Sequence, residues 1–308
     1  MNNKSKGKVL FIREEIADGE GAFLYPDRSK YEGNWNEGKR DGFGIHTLRD
    51  GSSYSGQQKN GHRHGKGTEI FKNGEKYSGN WFYGVREGKG IYKWPSGSKY
   101  VGDFKNWDLN GYGTFTDPNG AKYVGEWKNG GKHGKGVQIE VDEDKYEGQW
   151  KNDLPHGIGI NTQKNNDVYE GNWVRGKKHG YGVYKMKDLG TYEGQWRNSK
   201  MEGQGTLTFH NGYFIKGKWE KGSPLNAAAT WPNGNKYEGE FKNWDWHGQG
   251  KFSVSSGHHI IGEFKGHDPW NTTEYDKNDV VVGKVVDGVQ TIENSSQITP
   301  RLEVDSLV

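Results

Sequence analysis

The sequence predicts an all-β fold: an elongated, single-layer, twisted antiparallel ribbon of stacked 23-residue β-hairpins. Three observations predict it. Tyrosine recurs at Tyr31, Tyr54, Tyr77, Tyr100, Tyr123, Tyr146, Tyr169 and Tyr192, each 23 residues after the last, and Ile215, Tyr237 and Ile260 continue the register in steps of 23, 22 and 23. Self-similarity at a fixed period of this length marks a repeat architecture. A glycine stands two residues after every anchor (Gly33, Gly79 and Gly125 among them) and an aromatic ring two further on, as in Trp35, Trp81, Phe104, Trp127, Trp150, Trp173 and Trp196, with Gln58 the only exception. The chain is also only 30% hydrophobic but 14% aromatic, so rings rather than aliphatic side chains must do the burying.

Each unit reads as a hairpin. In Tyr123-Val-Gly-Glu-Trp127 the side chains alternate, which puts Tyr123, Gly125 and Trp127 on one face and Val124 and Glu126 on the other. The second face is mostly polar, with Glu32/Asn34, Glu147/Gln149 and Glu193/Gln195 facing water. Lys128-Asn-Gly-Gly is turn chemistry, and Gly134-Lys-Gly136 opens a return strand whose two glycines share a face and leave room for rings. Asp117-Pro-Asn-Gly120 closes the far end. A single hairpin with two rings cannot offset the entropy of ordering itself, so stability must come from stacking unit on unit. At about 4.8 Å per strand each unit advances roughly 10 Å, which makes the expected object a strut or ruler on the order of 100 Å long.

A phosphate-cradling loop is excluded by the same glycines. Gly134-Lys135 is followed by Gly136 rather than Ser or Thr, and no amphipathic helix follows, as a P-loop or a dinucleotide fingerprint would need. Zero cysteine excludes disulfides and cysteine-ligated zinc and fits a reducing compartment. The apolar run Val9–Ile12 is too short for a secretory leader, and no segment approaches the ~20 apolar residues of a membrane span.

The unit Y-x-G-x-W-x-x-G-x-x-x-G-x-G resembles the MORN repeat, over residues of about 19–270. The resemblance implies an antiparallel β-ribbon that serves as a structural scaffold and is not an enzyme. Among proteins that carry the repeat without an attached domain, the chain is most similar to radial spoke head components of motile cilia; cortical cytoskeletal proteins are the other group. The implied setting is cytoplasmic and cytoskeletal, in the axoneme of a cilium or flagellum, with other proteins of that complex as partners.

The expected organisation is an N-terminal segment over 1–18, an array of about eleven hairpins over 19–270, a degenerate capping region over 271–290 and a flexible tail over 291–308. Gly19-Glu-Gly21 falls 23 residues before Gly42/Gly44 and starts the array with half a unit, while Val281-Val-Gly283-Lys-Val285 copies the skeleton with valines as a final covering strand. In the Ile215 unit the glycine pair is replaced by Asn226 and Ala228 beside a one-residue deletion, which predicts a weak joint or bend.

Two features are candidate contact sites. The segments 94–113 and 231–250 agree at thirteen of twenty positions and place Trp107 and Trp244 where other units have the turn glycine. Each is either a partner anchor on a hairpin tip or a lid over its own unit's Phe104 or Phe241. Lys39, Arg40, Arg63, Arg86, Lys132, Lys177 and Lys178 form a candidate basic edge toward acidic phospholipid, or else a solvated edge with Glu37, Asp41, Glu87 and Asp153 interspersed. An open sheet edge would also allow a homodimer. Nucleic acid is disfavoured, because the net charge is only +3 and the rings are spent inside the ribbon. No catalytic constellation, cofactor motif or metal site is expected: His64, His133, His156, His179 and His247 share a column, but rows about 10 Å apart cannot share one ion.

Overall fold

The computed structural model describes residues 10–11 and 18–291, so most of the N-terminal segment and all but Thr291 of the expected tail lie outside the described residues. The described chain is all-β and divides into two compact units, Met1–Leu154 and Pro155–Val308. In the first, strands Gly19–Leu24, Lys30–Asn36, Lys39–Thr47, Ser53–Lys59, His62–Ile70, Lys76–Phe82, Val85–Lys93, Lys99–Lys105, Asp108–Thr116, Lys122–Lys128, Gly131–Ile139 and Lys145–Lys151 follow in order, each antiparallel to the next. Leu10–Phe11 adds a parallel pairing to Gly19–Leu24, which the repeat pattern does not foresee. The second continues the scheme from Leu154–Thr162 and Val168–Val174 through Asp268–Tyr275, Val281–Val286 and the short Val289–Gln290. Each unit is thus a single layer of consecutive hairpins, as the period predicts.

Alternation explains the burial. Along Lys122–Lys128 the anchor tyrosine, the glycine and the tryptophan are buried while their neighbours stay more open. The hairpin tips use two consecutive left-handed residues, such as Asn129 (φ 48°) and Gly130 (φ 80°), the primed turn whose twist matches the strands it joins.

The paired glycines have two different reasons, where the sequence suggested one. Gly42 lies in the left-handed region (φ 89°) at a bulge, where Asn34 faces extra residues of the return strand between the pairs Gly33–Gly44 and Trp35–Arg40. Gly44 instead makes room: a Cβ there would lie 2.1 Å from the Tyr31 hydroxyl, because that ring crosses the sheet and lies on the return strand of its own hairpin.

The bend expected at the Ile215 unit is not formed as a break in the sheet. Phe214–Glu220 pairs with Ser223–Thr230, which pairs with Lys236–Lys242. The missing residue comes out of the bulge, and Ala227, not Ala228, faces Gly217 in the place of the second glycine. Ile215 projects no ring across it, so a methyl group fits.

Candidate protein-interaction site

The anchor tyrosines and the following tryptophans build one face of each unit. Every tyrosine hydroxyl donates to the carbonyl three residues on, as from Tyr54 to Gln57 at 2.7 Å and from Tyr123 to Glu126 at 3.0 Å. Each tryptophan Nε1–H donates to a repeat glycine carbonyl of the preceding hairpin: Trp35 to Gly21, Trp81 to Gly67, Trp127 to Gly113, Trp150 to Gly136, Trp173 to Gly159, Trp196 to Gly182. The ring then stands edge-on to its own tyrosine and to the one before, as Trp127 does at 5.1 Å from Tyr123 and 5.3 Å from Tyr100. Tyr146 and Trp150 repeat the contact at 5.0 Å, Tyr169 and Trp173 at 5.1 Å, and Tyr192 and Trp196 at 5.1 Å. Such pairs contribute about 0.5–1.5 kcal/mol each beyond the area they bury. Burial pushes the Tyr31 and Tyr77 hydroxyls up to about 12, so both remain neutral donors.

The basic residues do not form a continuous edge. Arg40, Arg86, Lys132 and Lys178 lie opposite Trp35, Trp81, Trp127 and Trp173 across their hairpins, and Arg63 lies opposite Gln58. That register puts them on the ring face, where they cover it. Arg63 stands 5.0 Å from the Tyr54 ring and 4.9 Å from Trp81; Arg86 stands 4.8 Å from Tyr77; Lys132 stands 5.2 Å from Tyr123; Lys178 stands 3.7 Å from Tyr184. Glu69, itself buried, bridges Arg63 at 2.6 Å and Arg86 at 3.1 Å. Lys39 and Lys177 alone of the seven are exposed. The acidic neighbours serve the tips: Asp41 accepts from the Asn60 N–H at 3.1 Å and Asp153 from the Lys132 N–H at 2.7 Å. Burial pulls the Lys178 ammonium down to about 8, with Asp167 opposing.

Trp107 and Trp244 sit on hairpin tips, 45% and 37% exposed, both with φ 76°. That backbone is the one glycine takes in most other units and costs a bulky residue roughly 1–2 kcal/mol. Neither ring folds over its own phenylalanine. Trp107 packs on Trp81 of the preceding unit at 5.7 Å and on Arg86 at 5.1 Å, and Trp244 packs on Trp219 at 5.4 Å. The Trp107 tip is also tied backwards, its N–H donating to the Arg86 carbonyl. Each tryptophan therefore shows one face to solvent and rests the other on a fixed base.

Sequence reasoning missed three features. Trp246 takes the covering position opposite Phe241 and stacks on Tyr237 at 4.3 Å. Gln58, the one break in the aromatic column, is buried. The second face also carries an uncharged run, Ile91, Val101, Thr114, Val124 and Val137, adjacent through successive strand pairings. Of the histidine column, His64 accepts from the Tyr83 N–H at 3.5 Å, and among the described residues no group of three or more His, Cys, Asp or Glu is placed to hold a metal.

A single layer of Tyr-Gly-Trp hairpins, each unit supplying part of its neighbour's core, defines a repeat scaffold or interaction protein. The chain belongs to the MORN repeat family, whose model matches residues 31–53, 54–76, 77–99, 100–122, 123–139, 146–168, 169–191, 192–212 and 237–259. No curated protein matches it. Similar solved structures include the G-box domain of the microcephaly protein CPAP, at 11% identity over 73% of this chain and 100% of that one with a TM-score of 0.33. The TCP10 domain of Danio rerio CPAP follows at 12% identity over 81% and 99% with a TM-score of 0.24. Likenesses this distant carry no argument about function.

Proposed function

We propose that the protein is a structural scaffold of a ciliary axonemal assembly such as a radial spoke head, and that it holds partner proteins at its tryptophan tips. One observation supports the docking surface above all. Trp107 and Trp244 keep a left-handed backbone that glycine would take without cost, and each presents a half-exposed ring seated on another aromatic. Local strain retained at an exposed aromatic suits a contact residue, and tryptophan is enriched among the residues that dominate interface energies. The axonemal setting rests on the resemblance of this array to radial spoke head proteins.

The test is capture of axonemal proteins by the full chain and by its Trp107→Gly/Trp244→Gly variant, in low and high salt. The wild type is expected to retain its partners at high salt, since docking through rings is little screened. The variant is expected to lose at least about thirtyfold in affinity, the equivalent of one hot spot of about 2 kcal/mol. Every partner remaining bound to the variant would remove the tips from the account.

A further inference from the structure

One register position, opposite the aromatic column, holds a cation in five units: Arg40, Arg63, Arg86, Lys132 and Lys178. Four of the five have a side-chain partner. Arg40 bonds His46 at 3.0 Å, Arg63 and Arg86 bond Glu69 at 2.6 and 3.1 Å, and Lys132 donates to Gln138 at 2.5 Å. Lys178 is the exception. The residue six further on, which supplies the acceptor to Arg40, Arg63 and Lys132, is here Tyr184, and its hydroxyl donates to Asp167 at 3.0 Å. Lys178 Nζ itself has no hydrogen-bond or ion-pair partner among the described residues.

Rings surround it instead. Nζ lies 3.7 Å from the ring centroid of Tyr184, 4.8 Å from that of Tyr169 and 5.1 Å from that of Trp196. Each ring is fixed by a bond of its own: the Tyr169 hydroxyl to the Asn172 carbonyl at 3.0 Å, the Tyr184 hydroxyl to Asp167, and the Trp196 Nε1–H to the Gly182 carbonyl at 3.2 Å. Tyr169 and Tyr184 belong to one hairpin and Trp196 to the next. The atom is not sealed. Among the described residues, the side-chain atoms that are both shut off from water and unpartnered belong to His46, Gln58, Arg86, His258 and Glu274, so the Nζ of half-buried Lys178 keeps contact with solvent.

An ammonium is strongly hydrated, and drawing it among rings without an acceptor gives up water bonds that cation–π attraction only partly returns. Methyl groups in place of its N–H hydrogens remove the need for acceptors and add apolar surface while keeping the charge, which is why aromatic cages select methylated ammonium groups. At Lys132 the same change forfeits the bond to Gln138. Burial also pulls Lys178 down to about 8, so at pH 7 on the order of a tenth of it is free amine with a lone pair to react.

We propose that Lys178 is a site of Nζ-methylation by a sulfonium methyl donor, and that Tyr169, Tyr184 and Trp196 form a cage within the chain that holds the methylated ammonium and fastens two hairpins together. In each transfer the lone pair of the neutral amine attacks the methyl carbon and forms the C–N bond. The C–S bond breaks, the donor leaves as a thioether, and a proton remaining on nitrogen passes to solvent before the next transfer.

The chain has no cysteine, so Lys178→Cys provides a single thiol that alkylation in denaturant converts to an aminoethyl or a trimethylaminoethyl side chain, close in shape to lysine and trimethyl-lysine. After refolding, urea unfolding of the full chain compares the two. The trimethyl form at 178 is expected to shift the equilibrium toward the folded state at least about tenfold relative to the aminoethyl form. The same pair built on Lys132→Cys is expected to run the other way, because Gln138 loses its donor. Peptide mass spectrometry of the chain from its native cells is expected to find methyl groups on Lys178. A trimethyl form no more stable than the aminoethyl form at 178, the same preference at both positions, or an unmodified Lys178 in the native chain would each overturn the assignment.

Discussion

Gly113→Ala should be among the most damaging single-methyl additions available to this protein. Gly113 faces Gly102 on one side and Gly125 on the other, and a Cβ there would lie 2.2 Å from the Tyr100 hydroxyl and 2.4 Å from its Cζ. The ring has nowhere to move: it is 0% exposed, wedged 5.3 Å from both Phe104 and Trp127, with its hydroxyl bonded to the Asp103 carbonyl at 3.0 Å. It must leave. Ejection forfeits a hydrogen bond of about 1 kcal/mol, two edge-to-face pairs of about 0.5–1.5 kcal/mol each and roughly 2 kcal/mol of ring burial. The sum is on the order of 4–6 kcal/mol. The chain contains its own control. Where Ile215 and Ile260 replace the tyrosine, Ala227 and Thr272 stand opposite the repeat glycine. Tyr100→Ile combined with Gly113→Ala should therefore be more stable than Gly113→Ala alone by about 2 kcal/mol, and a double-mutant cycle isolates the coupling, which is that gain plus the cost of Tyr100→Ile by itself. Urea unfolding of the full chain, with amide exchange over residues 99–128 to locate the effect, gives both numbers. A loss below about 1 kcal/mol for Gly113→Ala, or strict additivity of the two changes, would refute the steric reasoning.

Two further predictions concern charge inside the ring face. Glu69→Gln leaves Arg63 and Arg86 without their shared counter-charge and should cost about 3 kcal/mol, read by thermal or urea unfolding. Lys178 has its pKa depressed to about 8 in the folded chain, so charging it there opposes folding. The penalty is complete below about pH 8 and disappears as pH rises toward the unfolded value near 10.4, so this residue makes stability increase with pH across that window. Lys178→Met should stabilise the protein at neutral pH and flatten that part of the profile in urea titrations at stepped pH.

Much of the architecture is legible because the repeat states the same local rules many times. One Tyr-Gly-Trp alternation is weak evidence for a strand; repeated at 23-residue spacing from Tyr31 to Tyr192, with Asn129-Gly130 turn chemistry between, it fixes hairpins and their inward face. What alternation cannot give is the offset introduced by a bulge. The extra residues of the return strand decide that Arg40 meets Trp35, and hence that the cations cover rings instead of lining an outer edge. Contacts between units are hidden for a related reason. Trp107 rests on Trp81 and Trp244 on Trp219 of the preceding hairpin, contacts that no pattern within one repeat records. The glycine pair reads as one signal, yet Gly42 answers a backbone need and Gly44 a steric one. Gln58 is visible as an exception, but that it is buried without a hydrogen-bond partner follows only from the packing of the folded chain.

The central claim is that this scaffold works within a cytoskeletal assembly, and fractionation of ciliated cells tests it most directly. After mild detergent removes the membrane and the axonemes are washed, the protein is predicted to remain with the microtubule fraction and the Trp107→Gly/Trp244→Gly variant to wash out of it. Release of the wild-type protein with the solubilised membrane would contradict the axonemal scaffold.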